Sequence, residues 1–162
     1  SLTNDKNQEL KNLWENFLSL EINNVEESEF TFFSPFQQDI KLSGRIDAIR
    51  KNENGYEILD WKTGKAANID TENDWQTIVY LYGIGKLFRY YGKISSYNQL
   101  KMSYHFLGEK LYKTIILTEN LYKNYENKLE QITENLYDTI SINKQIQRCK
   151  NCQYKIVCNN TY

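Results

Sequence analysis

The chain has little of what interrupts regular structure. One proline (Pro35) and seven glycines in 162 residues leave few forced breaks, so regular elements joined by short turns are expected. Neither charge is in excess: 20 basic against 21 acidic side chains give a net charge of −1. That excludes a histone-like polyelectrolyte but leaves room for a local basic patch. No apolar run approaches the ~18 residues of a membrane helix, and the N-terminus lacks the apolar core of a signal peptide. Histidine occurs once, as His105, and cysteine three times, as Cys149, Cys152 and Cys158. An odd number of cysteines bunched as C-x2-C-x5-C makes a poor disulfide framework. It suits metal or cluster ligation in a reducing cytoplasm better.

What is present suffices for a core. Apolar residues make up 40% and aromatics 14% of the chain, above the profile of a disordered segment. A chain of this length buries roughly 70% of its unfolded surface. It opens Ser1-Leu2 rather than with Met, which reads as an excerpt of a longer protein.

Periodicity divides the chain into eight elements. Leu10, Leu13, Trp14, Phe17, Leu18 and Leu20 form an apolar stripe at helical spacing. Glu29 to Phe36 is aromatic-rich and extended, with Pro35 marking a strand end. Residues 39–50 alternate, Ile40, Leu42, Gly44, Ile46 and Ala48 against Lys41, Ser43, Arg45 and Asp47. Asn52-Glu53-Asn54-Gly55 is a strong turn signal, and Tyr56 to Lys62 completes a β-hairpin. After a polar loop, Trp75 to Tyr91 reads as a mostly buried helix, and 97–107 with 110–117 as a second hairpin turning at Gly108-Glu109. Glu119 to about Asn143 is a long amphipathic helix. The order α-β-β-β-α-β-β-α, without repeats or linkers, predicts one mixed α/β domain over residues 1–162.

The first hairpin brings chemistry together. With Glu53-Asn54 as its loop, Asp47 lies across from Asp60; with Asn54-Gly55, it opposes Lys62. Either register puts Asp47, Asp60 and Lys62 on one face, because opposed residues and i, i+2 neighbours share a face. Two carboxylates about 5 Å apart repel, so a positive group is expected between them. Lys62 alone makes a structural ion-pair cluster, the ordinary reading of a single Asp-x-Lys. A divalent cation held by carboxylates and water does it better. Gln76 and Tyr80, four apart, share one face of the following helix.

Gly44-Arg45-Ile46-Asp47, then Ile58-Leu59-Asp60-Trp61-Lys62-Thr63-Gly64, then Gln76-x3-Tyr80 and C-x2-C-x5-C, resemble the RecB-type branch of the PD-(D/E)XK nuclease superfamily. That branch includes the nuclease domains of RecB and AddB and the RecB-like CRISPR-associated exonucleases. The resemblance covers about residues 25–91 and 149–158. It implies a restriction-endonuclease-like fold, a mixed central sheet flanked by helices. It also implies a DNA nuclease, acting as an exonuclease on ends or single strands in repair, recombination or CRISPR-type processing, with a helicase or CRISPR-type protein as partner.

By the same resemblance, Asp47 and Asp60 bind Mg²⁺ or Mn²⁺ with the backbone carbonyl of Trp61, and Lys62 positions or activates the attacking water. Gln76 and Tyr80 contact the DNA backbone near the scissile phosphate. Cys149, Cys152 and Cys158 are the C-terminal ligands of a [4Fe-4S] cluster; read from the residues alone, a zinc site or three plain thiols stand beside that. These cysteines lie in a tail, residues 144–162, that carries Lys144, Arg148, Lys150 and Lys155 and no acid, a patch able to meet phosphates.

The chain departs from the family pattern twice. The family's upstream helix carries a metal-binding His, whereas His105 lies on a downstream strand as a core or surface residue; Glu9 and Glu15 are the acids on the first helix that stand in reach of replacing it. A cluster also needs four ligands, and no cysteine precedes Cys149. Truncation and degeneration into a non-catalytic DNA-binding or scaffolding module of a helicase–nuclease complex both account for these gaps.

Overall fold

The computed structural model describes residues 2–20, 22–37, 40–66 and 70–138. The chain divides into two compact units, Ser1–Asn127 and Lys128–Tyr162, and the first contains the whole sheet. Its elements run α1 (Leu2–Leu18), β1 (Val25–Pro35), β2 (Lys41–Asn52), β3 (Gly55–Lys62), α2 (Trp75–Tyr90), β4 (Leu100–Phe106), β5 (Leu111–Ile116) and the start of α3 (Glu119–Asp138). This is the order expected from periodicity. Cys149, Cys152, Cys158 and the basic tail lie outside the described residues.

One five-stranded sheet is ordered β1-β2-β3-β4-β5. Neighbours are antiparallel except β3 and β4, which run parallel. A parallel pair needs a long crossover, and α2 supplies it. Its face of Ile78, Leu81, Tyr82, Ile84 and Phe88 is buried in a core shared with Ile46, Ile49, Ile58, Leu100 and Met102. Several of the many tyrosines belong to this core: Tyr122 stacks between Tyr97 at 3.9 Å and Tyr82 at 4.6 Å. The architecture is α/β, a mixed sheet flanked by helices.

The β2–β3 hairpin closes with Asn52 opposite Gly55, which makes Glu53-Asn54 the loop. Asn52 Oδ1 accepts the Asn54 N–H at 3.0 Å, an Asx turn. Gly55 takes φ +136, and a Cβ there would stand 2.0 Å from the Gln99 carbonyl oxygen, so no other residue fits. The ladder runs to Ala48↔Leu59, one step short of Asp47 and Asp60. Beyond it β2 continues along β1, while β3 continues along β4 as far as Lys62↔Phe106. The middle of the sheet forks there, with one acid on each prong.

One expectation needs correction. The alternation through residues 39–50 does not hold: Gly44 faces α2, where a Cβ would meet Tyr80 and Phe32, yet Ala48 shares a cavity with Phe17 and Leu18 of α1. Residues four apart in a regular strand share a face. The break falls at Asp47, and Glu29, at the β1 position facing it, takes φ +55; a local irregularity re-aims side chains in this way. The apolar stripe of α1 is only partly covered. Leu10, Trp14 and Leu18 are exposed, because the helix meets the sheet along one edge, through Phe17 set edge-on to Trp61 at 5.3 Å and Asn16 Nδ2 donating to the Leu107 carbonyl at 2.7 Å.

Candidate active site

Asp60 and Lys62, two residues apart on β3, point to the α2 side of the sheet. Asp60 is only 3% exposed. The first turn of α2 brings Gln76 against both: its Nε2 donates to Asp60 Oδ1 at 2.5 Å, and its Oε1 accepts from Lys62 Nζ at 2.7 Å. Lys62 Nζ also lies 2.8 Å from Asp60 Oδ2. The three side chains form a closed ring.

Gln76 is held there by the way the helix starts. Asp74 caps the helix, its Oδ1 accepting the Gln76 N–H at 2.7 Å, which satisfies one of the free donors of the first turn. The Thr77 hydroxyl donates to the Thr71 carbonyl, and Tyr125 Oη donates to that of Glu72 at 2.7 Å. The loop before α2 is therefore pinned at successive residues.

Asp47 reaches the cluster from the other prong of the fork. Its Oδ2 accepts the Trp61 backbone N–H at 3.0 Å, tying the carboxylate to the strand that carries Asp60. Burial pushes the Asp60 carboxyl above the usual carboxylate range; the Lys62 ammonium opposes this, the Asp47 charge adds to it, and Gln76 opposes it again. Asp60 Oδ2, although in ion-pair range of Lys62, is buried without a directed hydrogen bond. Buried acceptors normally have partners, so this oxygen has capacity left. Two carboxylates from adjacent strands, one with acceptor capacity left beyond its lysine, suit a hard divalent cation, which needs only one or two carboxylates and completes its shell with water. Among the described residues no group of three His, Cys, Asp or Glu side chains gathers.

Tyr80, one turn beyond Gln76, donates its hydroxyl to the Arg45 carbonyl at 2.6 Å, and its ring stands edge-on to Phe32 at 5.8 Å. The seat exists because residue 44 is glycine: a Cβ there would lie 2.4 Å from Tyr80 Cε1 and 2.9 Å from Phe32 Cε1. Three residues before Asp47, Gly44 thus joins the strand bearing one acid to the helix bearing Gln76.

The fold brings together Asp47, Asp60, the Trp61 backbone, Lys62 and Gln76, with Tyr80 anchored to β2 beside them. His105 stays apart. It pairs with Trp61 in the β3–β4 ladder, on the face opposite Asp60, and stacks on Tyr112 at 6.2 Å; burial holds its imidazole below the usual pKa. Neither Glu9 nor Glu15 joins the acids in a three-ligand group, and Glu15 pairs with Lys11 at 3.8 Å. Sequence reasoning missed Tyr104 on β4, which faces Asp60 in the parallel ladder and lies under Lys62, ring centroid 5.2 Å from Nζ. The apolar alternation of Met102, Tyr104 and Phe106 signals a shared face but not which strand lies beside it.

A sequence model of the PD-(D/E)XK nuclease superfamily matches residues 4–159, nearly the whole chain, and the chain belongs to that superfamily. No curated protein matches it. Among solved structures, one named "Crystal structure of SSO0001" is similar at 16% identity and a TM-score of 0.43, over 90% of this chain and 66% of that one, so the chain spans just under two thirds of that protein. No helix among the described residues is long and apolar enough to cross a membrane.

Proposed function

We propose that this chain is a divalent-metal-dependent DNA nuclease of the RecB-like branch, cutting phosphodiester bonds from DNA ends or single strands. The observation that carries the reading is the ring of Asp60, Lys62 and Gln76 joined to Asp47 through the Trp61 backbone.

Asp47 and Asp60 would hold Mg²⁺ or Mn²⁺, with the Trp61 carbonyl as a further donor; the bound ion would polarise a phosphoryl oxygen and acidify a water. Asp60 is suited to the task because its oxygen is buried and underused. Lys62 offers a positive charge beside the position of an attacked phosphate, where charge builds in the transition state. Gln76 keeps Lys62 and Asp60 at fixed separation, a positioning role worth rate because small misplacements are costly. Tyr80 and Gly44 lock β2 to α2, so the two prongs keep their spacing. The motif order from Gly44 to Tyr80 supports the branch assignment.

The test uses an end-labelled oligonucleotide with Mg²⁺ or Mn²⁺. Wild type is expected to shorten it progressively, and Asp60→Ala or Lys62→Ala to abolish cleavage, a loss of at least ~10²-fold, while the protein still melts cooperatively. Undiminished cleavage by either folded variant would overturn the assignment. The lack of a third acidic or histidine ligand among the described residues favours a second reading, a DNA-binding module without catalysis. Calorimetric titration with Mn²⁺ separates the two: DNA binding without metal uptake at millimolar Mn²⁺ establishes the module.

A further inference from the structure

Beneath the Asp60–Lys62–Gln76 ring lies a second layer that the family motifs do not include. Tyr104 is fully buried, at 0% exposure, and faces Asp60 across the parallel β3–β4 ladder. Its ring carries the Lys62 ammonium over one face, 5.2 Å from the centroid. Its hydroxyl is 2.7 Å from the Thr77 hydroxyl, which itself donates to the Thr71 carbonyl. Thr77 is also fully buried and sits next to Gln76 on α2. An ammonium has three N–H donors and no acceptor. Lys62 accordingly finds three electron-rich neighbours, namely Asp60 Oδ2, Gln76 Oε1 and the Tyr104 ring face. Cations are drawn to aromatic faces, more strongly where water is excluded.

We propose that Tyr104 is a positioning residue for catalysis: its ring face holds the Lys62 ammonium in place, and Thr77 fixes the ring through its hydroxyl. Apolar volume alone does not explain the arrangement, because a buried tyrosine hydroxyl is accommodated only with a partner, and here the partner belongs to the same turn of α2 that delivers Gln76. The pair couples helix position to lysine position. The inference rests on the reading of Lys62 as the cation beside the attacked phosphate.

The experiment compares Tyr104→Phe, Tyr104→Leu and Thr77→Val with wild type by two readouts. One is the proton shift of the Lys62 ε-methylene, assigned by its loss in Lys62→Met; a lysine end over a ring face is shifted upfield. The other is the division between kcat and KM on a DNA oligonucleotide with Mg²⁺. Tyr104→Phe keeps the ring, so shift and kcat stay near wild type. Tyr104→Leu returns the signal to ordinary lysine positions and lowers kcat about ten-fold with KM little changed. Thr77→Val leaves the buried Tyr104 hydroxyl without its partner, a cost that Tyr104→Phe avoids, so the ring is displaced and the effect lies between; it also replaces the Thr side chain with one of similar size should the leucine variant fail to fold. A wild-type shift and kcat in the folded leucine variant, or in Thr77→Val where leucine does not fold, overturns the proposal. So does a phenylalanine variant as impaired as the leucine one, since packing around the hydroxyl rather than the ring face would then be responsible. If wild type cuts no DNA, the nuclease reading fails and the catalytic role falls with it, while the methylene shift still decides whether Tyr104 holds Lys62. Cutting by wild type together with unaffected variants removes the proposal and leaves the nuclease reading standing.

Discussion

Glu57 and Asp60 are carboxylates on the same strand, three residues apart on opposite faces of the sheet, and nearly equally buried at 2% and 3% exposure. Their environments treat them in opposite ways. Glu57 accepts from Arg50 Nε at 2.7 Å, lies 3.3 Å from Lys101 Nζ, and receives the Ser103 hydroxyl, which also meets Thr114 Oγ1 at 2.8 Å. Burial pushes its pKa up, but Ser103, Arg50 and Lys101 together outweigh that and hold the carboxyl below its usual range. Asp60 has one lysine and one amide, a second acid nearby, and an oxygen without a directed hydrogen bond; its pKa goes up. Burial is common to both, so burial does not distinguish a structural acid from a functional one. The balance of partners separates these two, and a buried carboxyl with a raised pKa and acceptor capacity left is a candidate for a functional site.

The largest effect is expected at Glu57. Replacing it with Gln leaves Arg50 and Lys101 without their counter-charge. Disrupting a buried ion pair costs roughly 3–5 kcal/mol, and the lower end applies because Arg50 and Lys101 remain 30% and 35% exposed. Glu57→Gln is expected to lose about 3 kcal/mol in urea unfolding. A loss under about 1 kcal/mol, the range of a surface pair, would remove the contrast. Asp60→Asn should move the other way. The amide keeps the shape, discards the charge that burial and Asp47 disfavour, and at neutral pH without metal gains about 1 kcal/mol, as replacements at strained functional sites often do, while cleavage is lost. An Asp60→Asn protein less stable than wild type would show that Lys62 fully compensates the acid.

This contrast was only half legible in the amino-acid order. The sequence offered two hairpin registers, with Asp47 across from Asp60 or from Lys62; the Asx turn at Asn52 and the forced glycine at Gly55 select the first, although the ladder ends one step before the two acids. Of the partners of Glu57, Arg50 stands opposite it in the same hairpin, but those on β4 did not follow. Lys101 and Ser103 reach it because β4 lies beside β3, a neighbourhood set by the α2 crossover rather than by any local signal. Tyr104 was hidden for the same reason. Alternation misled where Asp47 and Glu29 break the pleat, since a period of two carries no information about its own interruption. The exposed stripe of Leu10, Trp14 and Leu18 shows the same limit, because periodicity reveals a face and not what covers it.

The smallest effect, and the one that most sharpens the contrast, is in the pH dependence of the Asp60→Asn gain. A carboxyl whose folded pKa is raised contributes fully to stability below the ordinary carboxylate range, near 3.9 for Asp, and that contribution is lost as pH rises through the raised value. Asn mimics the protonated form at every pH. The lead of Asp60→Asn over wild type should therefore be present at pH 7.5, about 3 °C in melting temperature for a chain of this size, and fade as pH falls to about 4. Glu57 makes that window usable. Its pKa is lowered, so its contribution is present above the ordinary range and is lost only as pH falls through the lowered value; the ion pairs behind the sheet persist while Asp60 takes up its proton. Parallel melts of both proteins in metal-free buffer from pH 7.5 to 4 provide the measurement. A lead that stays constant over that range would mean that Asp60 already carries its proton at pH 7.5 or that the gain arises from packing, and in either case the two acids would not differ as their partners imply.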